Sequence, residues 1–157
     1  MGKTKDSPGI LLPPPLFFMA IFFLSYFFQW FFPLRRNFFQ TITAHVISGV
    51  ISTAGLFFII PALGQFIRTK NSVATFRAAT SLQTVGIYSI TRNPMYLGTS
   101  MTYLGLAFIF GNWWTVLLFP VMILLVSMMI IPREEAYLLR SFGDSYLDYK
   151  EKVRRWI

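Results

Sequence analysis

The sequence predicts an all-α integral membrane protein, with four transmembrane helices, the last two a tight hairpin, and amphipathic cytoplasmic helices at the C-terminus. Three observations lead there. Hydrophobic residues make up 55% of the 157-residue chain, with 18 Phe, which is too apolar for an ordinary soluble surface. The apolar residues fall into four blocks, at about 16–32, 42–67, 95–110 and 113–131, each near the length that crosses a bilayer. The basic residues lie between or after these blocks. By length the whole of 1–157 is one domain.

The first block follows Lys3, Lys5 and the run Pro13-Pro14-Pro15. Basic residues ahead of an apolar segment resemble a signal peptide, but the block ends in aromatics and Pro33 without a small-residue cleavage site, so it is read as a retained first span. Arg35 and Arg36 then connect to the second block, long enough to span with tilt or with a kink at Pro61 and Gly64. On it His45, Ser48, Ser52 and Gly55 recur at three- and four-residue spacing, a face suited to close helix packing. An ionisable group inside a membrane also marks His45 as a functional candidate.

From Arg68 to Asn93 runs a long connection with Arg68, Lys70, Arg77 and Arg92 and no acidic residue; connections of that length are commonly functional. The third and fourth blocks meet across Gly111-Asn112, which demands an antiparallel hairpin. Gly98, Thr102 and Gly105 give the third block a small-residue face, Pro120 offers a kink in the fourth, and Trp113 and Trp114 suit the far interface. Pro132 is expected to close the fourth helix. The tail 133–157 reads as amphipathic, with a stop at Gly143, a capping box at Ser145 and Asp148, and an apolar stripe of Tyr146, Tyr149, Val153 and Trp156.

The charge distribution sets orientation and excludes some functions. With the N-terminus cytoplasmic, every Lys and Arg except Arg35 and Arg36 falls inside, so both termini are expected in the cytoplasm. A net charge of +8 placed in this way points to anionic lipid and not to nucleic acid. The absence of cysteine excludes disulfides, thiolate nucleophiles and Cys-ligated metal, and the lone His45 excludes a multi-histidine metal site.

The most informative stretch is Thr84–Gly98. Asn93 is placed to cap the third helix and Pro94 to occupy its first position, where its missing N–H costs no bond. Arg92 stands beside those free amides and the positive end of the helix dipole, which together make an anion site. On spacing alone Arg92 reads equally as an interfacial anchor.

Gly86-Ile-Tyr88 followed by Arg92-Asn-Pro-Met-Tyr-Leu-Gly98 resembles the signature of the isoprenylcysteine carboxyl methyltransferase and phospholipid methyltransferase superfamily, G-x-Y, a spacer, then R-(H/N)-P-x-Y-x-G. Glu134-Glu135, Leu138, Phe142-Gly143, Tyr146, Tyr149 and Val153 resemble that superfamily's closing pattern. The resemblance runs from Phe76 onward. It implies transfer of a methyl group from S-adenosylmethionine to a lipophilic acceptor in the bilayer. Gly86, Tyr88, Arg92, Asn93, Pro94, Tyr96, Leu97, Gly98, Glu134, Glu135, Tyr146 and Tyr149 are then the expected cofactor-binding residues. Arg92 and the helix start would take the donor's carboxylate, Glu134 or Glu135 its cationic groups, and the two tyrosines would close over the adenosine.

The chain departs from the prenylcysteine enzymes at Asn93, where they usually have His, and at Lys152-Val153-Arg154, where their form is Arg-Val-Pro. A carboxylate acceptor is already nucleophilic and needs only a cation to place it, for which Arg92, Lys152 or Arg154 would serve as catalytic residues. An amine headgroup would need a base, and the two glutamates are already assigned. Carboxylate O-methylation is therefore favoured. Phospholipid headgroup N-methylation, a catalytically silent lipid-binding protein and a nicotinamide-dependent membrane reductase remain alternatives.

Overall fold

The computed structural model describes residues 14–71, 79–110 and 112–157. Lys3, Lys5, Pro13, Phe76, Arg77 and the hairpin-turn residue Gly111 lie outside the described residues. The described residues form helices and connecting turns with no strand.

Helix α1, Pro14–Phe31, starts on the proline run, where a fixed φ suits a first turn, and gives way before Pro33. Helix α2, Ile42–Arg68, is capped by Thr41, whose side chain accepts from the Ala44 N–H at 3.2 Å, and runs unbroken past Pro61. It ends in a left-handed residue, Lys70 at φ 54°, so that the Asn71 N–H reaches back to the Phe66 carbonyl at 2.9 Å. Helix α3, Pro94–Ile109, packs against α2 at very short range. A Cβ on Gly98 would lie 2.6 Å from the Gly55 carbonyl oxygen, and one on Gly55 would lie 2.7 Å from that of Gly98. The Ser48 hydroxyl donates to the Gly105 carbonyl at 2.8 Å in the same seam. The small-residue face is thus a packing face, and His45 lies off it, exposed, with its ring nitrogen 2.8 Å from the Thr41 carbonyl.

Helix α4, Trp113–Leu125, begins at Asn112, whose side chain accepts from the Thr115 N–H at 2.9 Å. It packs against α1 through the buried Ser25 and Thr115 hydroxyls, 2.7 Å apart. Trp114 lies beside Phe28 and donates to the Phe32 carbonyl at 2.8 Å, while Trp113 stacks on Phe38, an aromatic collar suited to an interface.

Pro132 does not close this helix. A π turn over Val126–Ile130 shifts the register, so that the Ile131 N–H bonds to the Val126 carbonyl, and the chain continues into α5, Ile131–Phe142. The wider turn takes up the missing donor and the ring of Pro132 without a break. Glu134 and Glu135 consequently sit within a continuous 30-residue helix, Trp113–Phe142, and not at a free helix start. Gly143 stops α5 at φ 53°, and α6, Asp144–Lys152, begins directly after it. The expected capping box is not formed: Gly143 is the N-cap, and Ser145 lies inside the first turn.

Among the described residues three helices are long and apolar enough to cross a membrane, Pro14–Phe31, Ile42–Arg68 and Trp113–Phe142. Helix α3, with 16 residues, would reach roughly 24 Å at the usual rise, short of a full hydrocarbon core. A core of Phe18, Tyr96, Tyr103, Met122, Val126, Ile130 and Ile131 joins α1, α3, α4 and α5, and Trp156 from the end of the chain packs onto it.

Candidate functional site

The site is assembled where α3 begins, where α5 emerges from its apolar stretch, and where the last residues of the chain return. A 3₁₀ turn at Gly86–Ser89 opens with Gly86 at φ 64°, a conformation that disfavours any side chain. It turns Ile87 and Tyr88 inward, with the Tyr88 ring stacked on Phe66 at 5.8 Å and nearly parallel. The Tyr88 carbonyl accepts from the buried Tyr149 hydroxyl at 2.7 Å, which ties α6 to this turn.

Pro94 takes the first turn of α3 as expected, but Asn93 does not cap it through its side chain. The amide Nδ2 instead donates to the Arg155 carbonyl at 2.9 Å, a tertiary bond that replaces the local one. Thr91 donates to the same carbonyl at 3.1 Å, and the Arg92 N–H donates to the Arg154 carbonyl at 3.0 Å. The C-terminal segment is therefore strapped across the start of α3.

Arg92 is paired. Its Nη1 lies 3.1 Å from Glu135 Oε1 and donates to the Tyr146 hydroxyl at 3.2 Å, with the side chain 10% exposed. Its Nε is buried without a hydrogen-bond partner among the described residues. Glu135 also receives Arg155 through two parallel bonds, Nε to Oε1 at 3.1 Å and Nη2 to Oε2 at 2.8 Å. Glu134 is placed differently, because adjacent helical residues point about 100° apart. Its Oε1 accepts from the Tyr96 hydroxyl at 2.7 Å, and among the described residues it has no cationic partner.

Glu134 lies beyond the apolar stretch of its helix, which ends at Ile131. Burial pushes its carboxyl up to about 7; the Tyr96 hydrogen bond opposes the shift and the neighbouring Glu135 adds to it. Burial likewise raises the Tyr146 and Tyr149 hydroxyls, with Arg92 acting against the shift in both. The bonds to Glu135 hold the Arg155 guanidinium charged.

These groups surround a cavity of about 220 Å³. Of the residues singled out in the sequence, Tyr88, Arg92, Asn93, Pro94, Tyr96, Glu134, Glu135, Tyr146 and Tyr149 line it. Gly86, Leu97, Gly98, Lys152 and Arg154 do not. Gly86 serves the turn and Gly98 the α2 contact, while the Lys152 and Arg154 side chains are exposed outside the cavity. Phe66, Gln83, Thr99 and Tyr137 line the cavity without having been singled out, and Arg155 was also missed. The signal for Arg155 was present in the sequence: neighbouring glutamates on a helix cannot face one ligand, so one of them needs a cation from elsewhere.

A family model described as phospholipid methyltransferase matches residues 43–145. The chain is 32% identical over 126 residues to a protein-S-isoprenylcysteine O-methyltransferase of Schizosaccharomyces pombe, covering 73% of this chain and 52% of that one. It is 31% identical over 114 residues to protein-S-isoprenylcysteine O-methyltransferase B of Arabidopsis thaliana, covering 66% and 57%. An uncharacterized protein of Haemophilus influenzae is 42% identical over 66 residues, which is 40% of this chain and 100% of that one. The chain thus spans about half the length of the two methyltransferases it matches. No solved structure matches.

Proposed function

Because the chain belongs to the phospholipid methyltransferase family, we propose that it transfers a methyl group from S-adenosylmethionine to an acceptor lying in the bilayer, and that the acceptor is a carboxylate on a lipid-modified molecule. The observation that carries this reading is that Arg92, whose buried Nε–H has no hydrogen-bond partner among the described residues, lines one cavity together with Glu134, whose carboxyl has no cationic partner among them. When bound, S-adenosylmethionine supplies a methyl group on a cationic sulfonium, alongside a carboxylate and an ammonium. The residues present fit such a molecule, since Arg92 would hold the carboxylate and Glu134 the ammonium. Tyr88, Tyr146 and Tyr149 stay protonated and offer flat, apolar walls with hydroxyl handles. In-line transfer needs little covalent help, so the protein's part is to orient both molecules and keep water out.

The names of the Schizosaccharomyces and Arabidopsis relatives support a carboxylate acceptor. A second reading, methylation of an amine headgroup, is favoured by Glu134, because a carboxyl poised near neutrality can accept a proton from an ammonium. Radiolabelled methyl donor, offered with a farnesylated cysteine derivative or with phosphatidylethanolamine in detergent, separates the two. A methyl ester releases its label as methanol in alkali, and an N-methyl group retains it. Alkali-stable label would overturn the carboxylate reading; no label in either lipid would overturn both.

The proposed topology has four spans, with α3 and α4 a tight hairpin and α3 completing its crossing through flanking residues, and with both termini cytoplasmic. The basic-residue asymmetry supports it. Exposed Lys152 and Arg154 then meet anionic headgroups, not the substrate. A reporter fused after Ile157 that reads as external would contradict this orientation.

A further inference from the structure

The two glutamates look like one acidic motif, yet their surroundings differ. Both oxygens of Glu135 are engaged, Oε1 by Arg92 and Arg155 and Oε2 by Arg155, and the side chain is only 13% exposed. Little of it is left for a ligand. Arg92 complements this arrangement: Nη1 donates to the Tyr146 hydroxyl and pairs with Glu135 Oε1 at 3.1 Å, while the buried Nε–H has no hydrogen-bond partner among the described residues. A guanidinium is planar and rigid, so the hydrogen bond and the ion pair at Nη1 together fix the direction of the opposite edge.

The hold on Glu135 closes on itself. The Arg92 N–H grips the Arg154 carbonyl, the next residue Arg155 forks onto Glu135, and Glu135 returns to the Arg92 side chain. Thr91 and Asn93 both donate to the Arg155 carbonyl, which sets the root of that fork. Two guanidiniums share one carboxylate, so the cluster carries a net positive charge.

We propose that Glu135 is a positioning residue and not a donor ligand: clamped by Arg155, it holds Arg92 at Nη1 so that the Nε edge is presented to the carboxylate of the methyl donor. This rests on the reading of Arg92 as the donor's anion site. Glu134 alone then meets the donor's cationic end.

The test uses the full chain in detergent, in two arms. In the first, arginine side chains are labelled with ¹⁵N, and the Arg92 Nε–H signal is identified by its loss in Arg92→Lys. Glu135→Gln, which keeps the side chain's shape and one carbonyl acceptor, and Arg155→Lys should move this signal toward the averaged position of mobile arginines. Glu134→Gln should leave it in place. A signal unchanged in both Glu135→Gln and Arg155→Lys would overturn the positioning role, whether or not any donor binds. In the second arm, S-adenosylhomocysteine affinity is measured for the unmodified chain, Glu135→Gln, Arg92→Lys and the double variant. Glu135→Gln should weaken binding about tenfold alone and add nothing in the Arg92→Lys background. Additive losses would make Glu135 a direct ligand and overturn the proposal. If the unmodified chain binds no S-adenosylhomocysteine, the anion-site reading fails, and the first arm still decides whether Glu135 orients Arg92.

Discussion

The Tyr96 hydroxyl donates to Glu134 Oε1 at 2.7 Å, joining the first turn of α3 to α5 across the cavity. That bond favours the ionised carboxylate, but burial opposes it more strongly and holds the carboxyl near 7. The group therefore changes charge within the physiological range.

Donor affinity should accordingly depend on pH. Below about 7 Glu134 carries a proton that must leave before it can pair with an ammonium, so affinity should fall by up to about tenfold per pH unit as acidity increases. Above about 7 it should level off. Glu134→Gln should bind more weakly at neutral pH and lose this dependence. Calorimetry across pH 5.5–8.5 checks both expectations, and a variant that retained the parent's profile would remove Glu134 from the account.

Arg92→Lys separates an anchor from a ligand. An ammonium can still reach Glu135 and headgroups, so membrane insertion and thermal stability should survive with modest loss. It cannot reproduce the planar donor edge, so methyl transfer should fall about tenfold or more, ~1.4 kcal/mol of transition-state stabilisation. Unchanged turnover would leave Arg92 as an interfacial anchor.

The α2–α3 seam gives a prediction independent of chemistry. Gly98→Ala would set a methyl group 2.6 Å from the Gly55 carbonyl oxygen and force the helices apart. It should destabilise the protein by about 1–3 kcal/mol. Gly49→Ala, with nothing within 4 Å of the new atom, should be close to neutral. Thermal melts in one detergent compare them; equal midpoints would contradict the packing described.

The helix positions were legible because apolar blocks and helix signals coincide, as at Pro94 and Gly143. What was not legible came from tertiary contacts that override local rules. Pro132 reads as a terminator, yet a π turn over Val126–Ile130 absorbs it, so the glutamates are interior to a helix and Glu135 is a part-buried strut. Removing Glu135 would leave Arg92 without its carboxylate, a larger structural cost than removing Glu134, which has no cationic partner among the described residues. Asn93 reads as a cap but spends its amide on Arg155, a residue 62 positions away. Sequence spacing gives no access to such a contact.

On the proposed reading this cavity holds S-adenosylmethionine and not a nicotinamide cofactor or a lipid alone. Equilibrium binding of S-adenosylhomocysteine and of NADPH to the detergent-purified chain tests it most directly, with Glu134→Gln as the site control. S-adenosylhomocysteine should bind saturably and more weakly in Glu134→Gln, and NADPH should not bind. Saturable NADPH binding, or S-adenosylhomocysteine binding that is indifferent to Glu134→Gln, would contradict it.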